Sequence, residues 1–228
     1  MQWLIARYQP TSLFSLKHGD ATSTGGKSLL VPTPFAIRMA LLDVAIRTEG
    51  IAAGPRAFEQ IKSLRLAIRP PAYAAVTSTF VKILKPERDA EARGRAMQQT
   101  IAFREYVHLA GELALAFGGP PKTLSAVEPW LRQVNYFGKR GSFMQLLDAP
   151  QHEQDLPKGF ILLSERSDFF PFDGTLQMLD DCAQNVPFEK VNIYSRTGLT
   201  KDDRPKVYVV LPYRLKRSSR SFTFYEAF

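Results

Sequence analysis

Residues 33–50 constrain the fold more than any other stretch of this 228-residue chain. Thr33 is placed to N-cap a helix, Pro34 suits its first turn, and Gly50 sits where a left-handed C-cap belongs. Between these marks Phe35, Met39, Leu42 and Ile46 recur at three- and four-residue spacing, and Val44 and Ala45 widen the stripe. The segment therefore predicts an amphipathic helix docked on a core. Arg38 falls one turn in, near the end of the helix where backbone N–H groups attract anions. The run just before it, residues 22–27, is small and glycine-containing and ends on Lys27. A basic loop leading into a capped helix with an early arginine is a seat for a phosphate. The same stretch also describes a plain docking helix with a solvated arginine.

Composition narrows the class of protein. Hydrophobic residues make up 45% of the chain, enough to bury a sizeable core. No apolar run reaches the roughly 18 residues a membrane helix needs, and residues 1–8 read as a strand rather than a signal peptide. The single cysteine, Cys182, excludes an internal disulfide framework and fits a reducing cytoplasm. A formal net charge of +8 points to a polyanionic partner, and nucleic acid is the usual one. Arginine carries much of that charge, and its planar fork suits bidentate phosphate contacts.

The remaining punctuation gives the order of elements. A second helix should open near Pro55, burying Phe58, Ile61 and Leu64. A strand over 64–69 is ended by Pro70 and Pro71. A strand over 74–84 leads into residues 85–98, which are highly charged and read either as a basic finger carrying Lys85, Arg88, Arg93 and Arg95 or, equally, as a disordered surface loop. Strands over 100–109 and 112–117 flank Gly111, and residues 118–121 form a sharp stop. Ser125 and Glu128 fit a capping box for a helix over about 126–136, with Pro129 in its first turn and Val127, Trp130, Leu131 and Val134 buried. The turn over 137–143 places Gly138 and Gly141 around Lys139 and Arg140, letting the backbone turn tightly and approach a ligand. A strand over 143–147 follows, and a polar stretch at 148–158 marks a boundary between units 1–147 and 148–228. Beyond it we expect strands at 160–163, 190–194, 207–211 and 221–225, with a short helix at 175–184. The last segment interleaves Arg214, Lys216, Arg217 and Arg220 with aromatic residues, a pattern that can bind phosphates and stack on bases and that equally describes the two faces of an edge strand.

Strand, helix, strands, finger, strands, helix, strand is the order of an α+β ferredoxin-like (RRM-like) unit. On residues 31–42, on Arg104-Glu105-Tyr106 opening a strand, and on the turn 137–143, the chain resembles the RAMP proteins of CRISPR systems. Within them it is most similar to the subunit that caps the five-prime handle of the crRNA in type I Cascade. The resemblance covers about the first two-thirds of the chain. It implies a RAMP domain with an inserted basic thumb at about 85–98, followed by a smaller β-rich region. It implies a non-catalytic RNA-binding subunit whose partners are the crRNA five-prime handle, the backbone subunit and the large subunit, with target DNA near the PAM as a further candidate. Lys27, Arg38, Arg104, Gly138, Lys139, Arg140 and Gly141 would then lie near the RNA. No cofactor and no metal are expected.

In one subtype such a protein also cleaves precursor RNA without metal, using the RNA 2′-hydroxyl. That chemistry requires a general base, a general acid and a cation. Tyr106, His108 and Lys139 are the candidates here, since Tyr106 and His108 share one face of a strand. His18 and His152 lie in polar stretches and make weaker candidates. A third alternative is a basic assembly protein with no RNA role.

Overall fold

A computed structural model describes residues 1–17, 19, 25–165, 171 and 173–228; His18 and residues 20–24 of the basic loop lie outside this set. Strand β1 (Gln2–Pro10) opens the chain and β2 (Gly25–Gly26) follows the loop. Helix α1 (Pro34–Glu49) leads through a 3-10 turn to α2 (Gly54–Lys62), then β3 (Arg65–Arg69). The long strands β4 (Tyr73–Pro86) and β5 (Met97–Ala110) are joined by a tip containing one helical turn, α3 (Ala90–Arg93). Next come β6 (Leu113–Gly119), α4 (Pro121–Leu131), β7 (Met144–Leu146), β8 (Gln151–Glu153), β9 (Ile161–Leu162) and β10 (Thr175–Asp180). A turn α5 (Phe188–Val191), then β11 (Lys206–Leu211), β12 (Tyr213–Ser218) and β13 (Phe222–Ala227), complete the order.

The first sheet runs β7-β1-β6-β3-β9, and β8 adds to β1. Its inner strands β1, β6 and β3 are largely buried on both faces, which is why they read as nearly continuous apolar runs, whereas the edge strand β8 is exposed. Leu4, Ala6 and Tyr8 of β1 oppose Phe117, Leu115 and Leu113 of β6, and these share the main core with Phe58 and Ile61 of α2 and with Leu124 and Val127 of α4. The alternate residues Trp3, Ile5, Ala67 and Ala116 form a second, smaller core covered by Leu156, Phe160 and Leu162. The polar stretch expected to separate two units is thus tied to the first sheet: β8 pairs Trp3 with Glu153, and β9 pairs Ala67 with Leu162.

The second sheet runs β12-β13-β4-β5-β2. Its centre is the hairpin of β4 and β5, in register from Tyr73 opposite Ala110 to Pro86 opposite Met97. Near its base Ala74, Val76, Val107 and Leu109 are buried in the core. Farther out, the same face exposes Phe80, Leu84, Ile101 and Phe103, so the hairpin projects beyond the body as an arm. The strands run deeper into the charged finger than the sequence predicts, leaving only residues 87–96 as its tip.

Three expectations need correction. The helix foreseen over 126–136 starts at Pro121 and stops at Leu131. Pro121 occupies the first helical position, where a missing N–H costs nothing, so Ser125 lies mid-helix and Pro129 falls in the last turn. The helix foreseen over 175–184 is instead β10, held by antiparallel pairing of Thr175–Asp180 with Leu211–Lys206. The strand foreseen over 190–194 is the end of a helical turn and a bend, because no strand pairs with it. Pairing decides both segments: its presence makes 175–180 a strand, and without a partner strand the β propensity of 190–194 goes unused.

Helix α1 keeps its predicted bounds and its Thr33 cap, but Gly50 ends it with positive φ and an extended ψ of 164° rather than in the left-handed helical conformation expected. Thr33 Oγ1 accepts from Ala36 N–H at 3.1 Å, and Gly50 has φ of +85°. Its buried set is broader than the foreseen stripe: Ile37, Arg38, Leu41, Val44 and Ala45 are buried, while Phe35, Met39 and Ile46 are only half so. The helix packs against α2, α4 and the strand β10 segment, so more than one of its sides demands apolar surface.

Candidate nucleic-acid interface

The buried Arg38 shows what this packing requires. Its guanidinium donates to Asp181 at 2.7 Å from Nε and 3.1 Å from Nη2, and to the Ile61 carbonyl at 2.6 Å. Only 1% of it is exposed. Asp181 also accepts from Cys182 N–H at 2.7 Å, and burial pushes the Cys182 thiol up to about 11. Arg38 therefore ties α1 to the C-terminus of α2 and to the strand β10 segment. It is withdrawn from the phosphate-binding set: a bidentate, fully desolvated arginine is not free to meet a ligand.

The opposite side of α1 forms the floor of a cleft of about 880 Å³. Phe35 and Met39 of α1, with Leu16, Leu29 and Leu199, supply apolar surface. Lys17, Arg104, Lys139, Lys201, Arg204 and Lys206 supply positive charge. Of the foreseen residues, this brings together Arg104, Gly138 and Lys139, with Lys27 next to the lining residue Gly26.

Each wall has a local cause. On β5, Arg104 and Tyr106 project on the same side of the strand, and the Arg104 side chain lies against Gly26, where a Cβ would stand 2.8 Å from it. The glycine turn is clamped to the N-terminal loop. Ser12 Oγ donates to the Gly141 carbonyl at 2.6 Å, Ser142 Oγ accepts from Ser15 N–H at 3.1 Å, and Ser142 N–H donates to the Lys139 carbonyl at 3.1 Å. Gly138 and Gly141 have φ of +76° and +97°, a conformation that costs little only for glycine. The turn so held sets Lys139 Nζ 5.7 Å from the Tyr106 ring centroid. Among the described residues neither Lys139 nor Arg104 has a carboxylate partner.

The far wall comes from the C-terminal third, whose role the sequence left open. Asp203 accepts from Lys190 Nζ at 2.8 Å and from the Thr200 N–H and hydroxyl at 2.7 Å each. Lys190 first, then the Thr200 donors, hold its carboxyl down at about 2. This fixes the 200–204 bend that carries Lys201 and Arg204. Arg204 Nε donates to Asp180 at 2.7 Å, and its guanidinium lies 4.3 Å from the Phe35 ring. No sequence period marks this bend. The only signal was the charge density of residues 201–204.

Other foreseen residues lie elsewhere. Lys85 and Arg88 are exposed near the tip of the arm, and Arg93 and Arg95 there converge on the buried Glu87 at 3.4 and 3.2 Å. Arg140 is exposed beside Gly141. Arg214 pairs with Asp173 at 2.9 Å and Lys216 with Glu226 at 2.8 Å, while Arg217 and Arg220 are exposed at the sheet edge. His108 is exposed on β5 two residues beyond Tyr106. No group of three metal-ligating side chains occurs among the described residues. No helix among them is long and apolar enough to cross a membrane.

Fold and cleft together define the class: a basic, mixed α/β protein of antiparallel sheets with an apolar-floored, cation-rimmed groove. No family model matches the chain. It is 25% identical over 228 residues to the CRISPR-associated protein Cas5 of Archaeoglobus fulgidus, covering 96% of each chain. The resemblance to CRISPR-associated RAMP proteins that short motifs carried is therefore a likeness over nearly the whole length. Among solved structures, a chain of a CRISPR RNA-guided surveillance complex shares the fold at a TM-score of 0.50 and 14% identity, over 92% of this chain and 90% of that one. A CRISPR protein of Archaeoglobus fulgidus superposes at a TM-score of 0.48 and 11% identity over 100% and 92%.

Proposed function

We propose that this chain is a non-catalytic RNA-binding subunit of a type I CRISPR Cascade complex, and that its cleft holds the five-prime handle of the crRNA. The observation that carries this reading is the pair Arg104 and Lys139, two cations from separate elements turned into one groove, neither meeting a carboxylate among the described residues. Unlike Arg38, they remain available to phosphates. The apolar floor under them suits the splayed bases of a single strand. The relative's name and the surveillance-complex neighbour add weight to complex membership. The ferredoxin-like reading draws support from the order β7-β1-β6-β3 with α1 and α4 as its crossovers. The β4–β5 arm is positioned to act as the thumb, with its exposed Phe80, Ile101 and Phe103 available to the backbone and large subunits. Titrating repeat-derived RNA against rising salt tests the reading. Affinity should fall with a log–log slope of about −0.7 per phosphate neutralised, and a flat response sinks it.

One observation favours a second reading, metal-independent cleavage of precursor RNA. Lys139 lies over Tyr106, and His108 projects on the same side of β5. Site-specific cleavage of repeat RNA in EDTA, lost in His108→Ala, would establish it in place of simple capping.

A further inference from the structure

We infer that the outer face of the second sheet is an additional nucleic-acid surface, a ring-walled trough that receives bases of the single strand as it leaves the cleft. This rests on the RNA reading of the cleft and extends it.

Strand register sets the geometry. Tyr106 of β5, Thr77 of β4 and Phe222 of β13 lie in one cross-strand row. His108, Ala75 and Phe224 lie in the next, with Arg217 of β12 opposite Phe224. Directly paired residues share a face, and the alternate residues Val76, Val107, Ala74 and Leu109 are the buried ones, so these two rows face outward. In these two rows the central strand offers only Thr77 and Ala75, while both neighbouring strands offer rings; its Tyr73, in the following row, closes the far end. Strands two apart are separated by about 9.6 Å, so the rings border a slot with a small-residue floor. Tyr73 stacks on Phe224 at 5.7 Å and 15° between planes, which fixes one ring in place.

The slot opens toward the cleft. Arg104, which lines the cleft, is two residues before Tyr106 on the same face of β5, and Lys139 of the cleft lies over Tyr106. A strand following these cations passes directly onto the first row. Charge along the slot suits a polyanion: Lys139 stands at its entrance and Arg217 beside its second row. The carboxylate at its far end, Glu226, is paired with Lys216 at 2.8 Å. Rings alternating with small residues and bordered by cations fit stacked bases joined by phosphates. The arm's opposite face, with Phe80, Ile101 and Phe103 contiguous, is the one suited to protein.

The test compares two single-stranded RNA oligomers, one of about four nucleotides that fills the cleft and one of about ten that reaches beyond it. Lengthening should tighten binding to the unaltered protein, and Phe222→Ala with Phe224→Ala should cancel about tenfold or more of that gain while leaving the short oligomer unaffected. Should Phe224→Ala unfold the sheet, Phe222→Ala alone serves, since Phe222 is 39% exposed at the strand start. In Phe222→Trp the new ring should be quenched by the long oligomer and not by the short one, against a constant background from the buried Trp3 and Trp130. A long oligomer that binds no tighter than the short one, or that is indifferent to the Phe→Ala changes, overturns the trough and leaves the cleft standing. Failure of the short oligomer to bind at all would count against the cleft instead.

Discussion

The two sides of helix α1 put similar side chains to opposite uses. On one side Arg38 is bidentate to Asp181 and bonded to a carbonyl at the end of α2, out of reach of any ligand. On the other, Arg104 and Lys139 approach Phe35 and Met39 from other elements and meet no carboxylate among the described residues. The difference is made by what the chain brings opposite each cation. A buried guanidinium facing a carboxylate becomes part of the scaffold, because separating the pair would strand a charge in a medium that cannot solvate it. A cation facing an apolar floor at a solvent-open groove keeps its capacity for an incoming anion.

The sharpest attack on this contrast is Arg38→Ala, which leaves Asp181 buried and unpaired. Denaturant unfolding should show a loss of about 3–5 kcal/mol, and the double change Arg38→Met with Asp181→Leu should recover much of it. Retention of full stability in the single variant would break the contrast. Arg104→Ala with Lys139→Ala should do the reverse. The melting midpoint stays put, RNA affinity falls about tenfold or more, and the salt slope shrinks by about 1.4, at about 0.7 per cation. Lys139→Ala with Arg140→Ala should likewise weaken RNA capture more than His152→Ala does, and equal effects would exclude the glycine turn.

A smaller effect is expected at Asp203. Its carboxyl is held at about 2, below the ordinary carboxylate value of about 3.9, so it stabilises the fold above that value and loses the contribution as pH falls toward 2. Asp203→Asn should flatten the stability profile over that acid window and loosen the bend carrying Lys201 and Arg204, read as thermal midpoints across pH and a modest loss of RNA affinity. The least effect belongs to His152→Ala. His152 and Glu128 form a solvent-exposed pair at 3.0 Å, and stability should move by no more than about 0.5 kcal/mol.

The candidate site was partly legible in advance. Gly138 and Gly141 around Lys139 announced a tight, cationic turn, because positive φ is written into glycine. Tyr106 and His108 announced a shared strand face through period two. Arg38 was misread for an instructive reason: its position near a helix N-terminus is visible in sequence, whereas its partner Asp181 lies 143 residues away. The same distance hid Lys201, Arg204 and Lys206, whose approach to the cleft depends on the Asp203 bend and on β10 pairing with β11.

The chain's own order of residues determined the start and stop of α1, the apolar runs of β1, β3 and β6, the shared face of Tyr106 and His108 on β5, and the net positive charge. Those follow from interactions within a few residues: a threonine cap, a proline's fixed φ, a glycine's freedom, side chains repeating every two or every 3.6 positions. Which cations are scaffold and which are offered to a ligand was decided only in the folded molecule. So was the choice of strand rather than helix for Thr175–Asp180. Both depend on which distant segment comes to lie opposite, and local spacing carries no record of that.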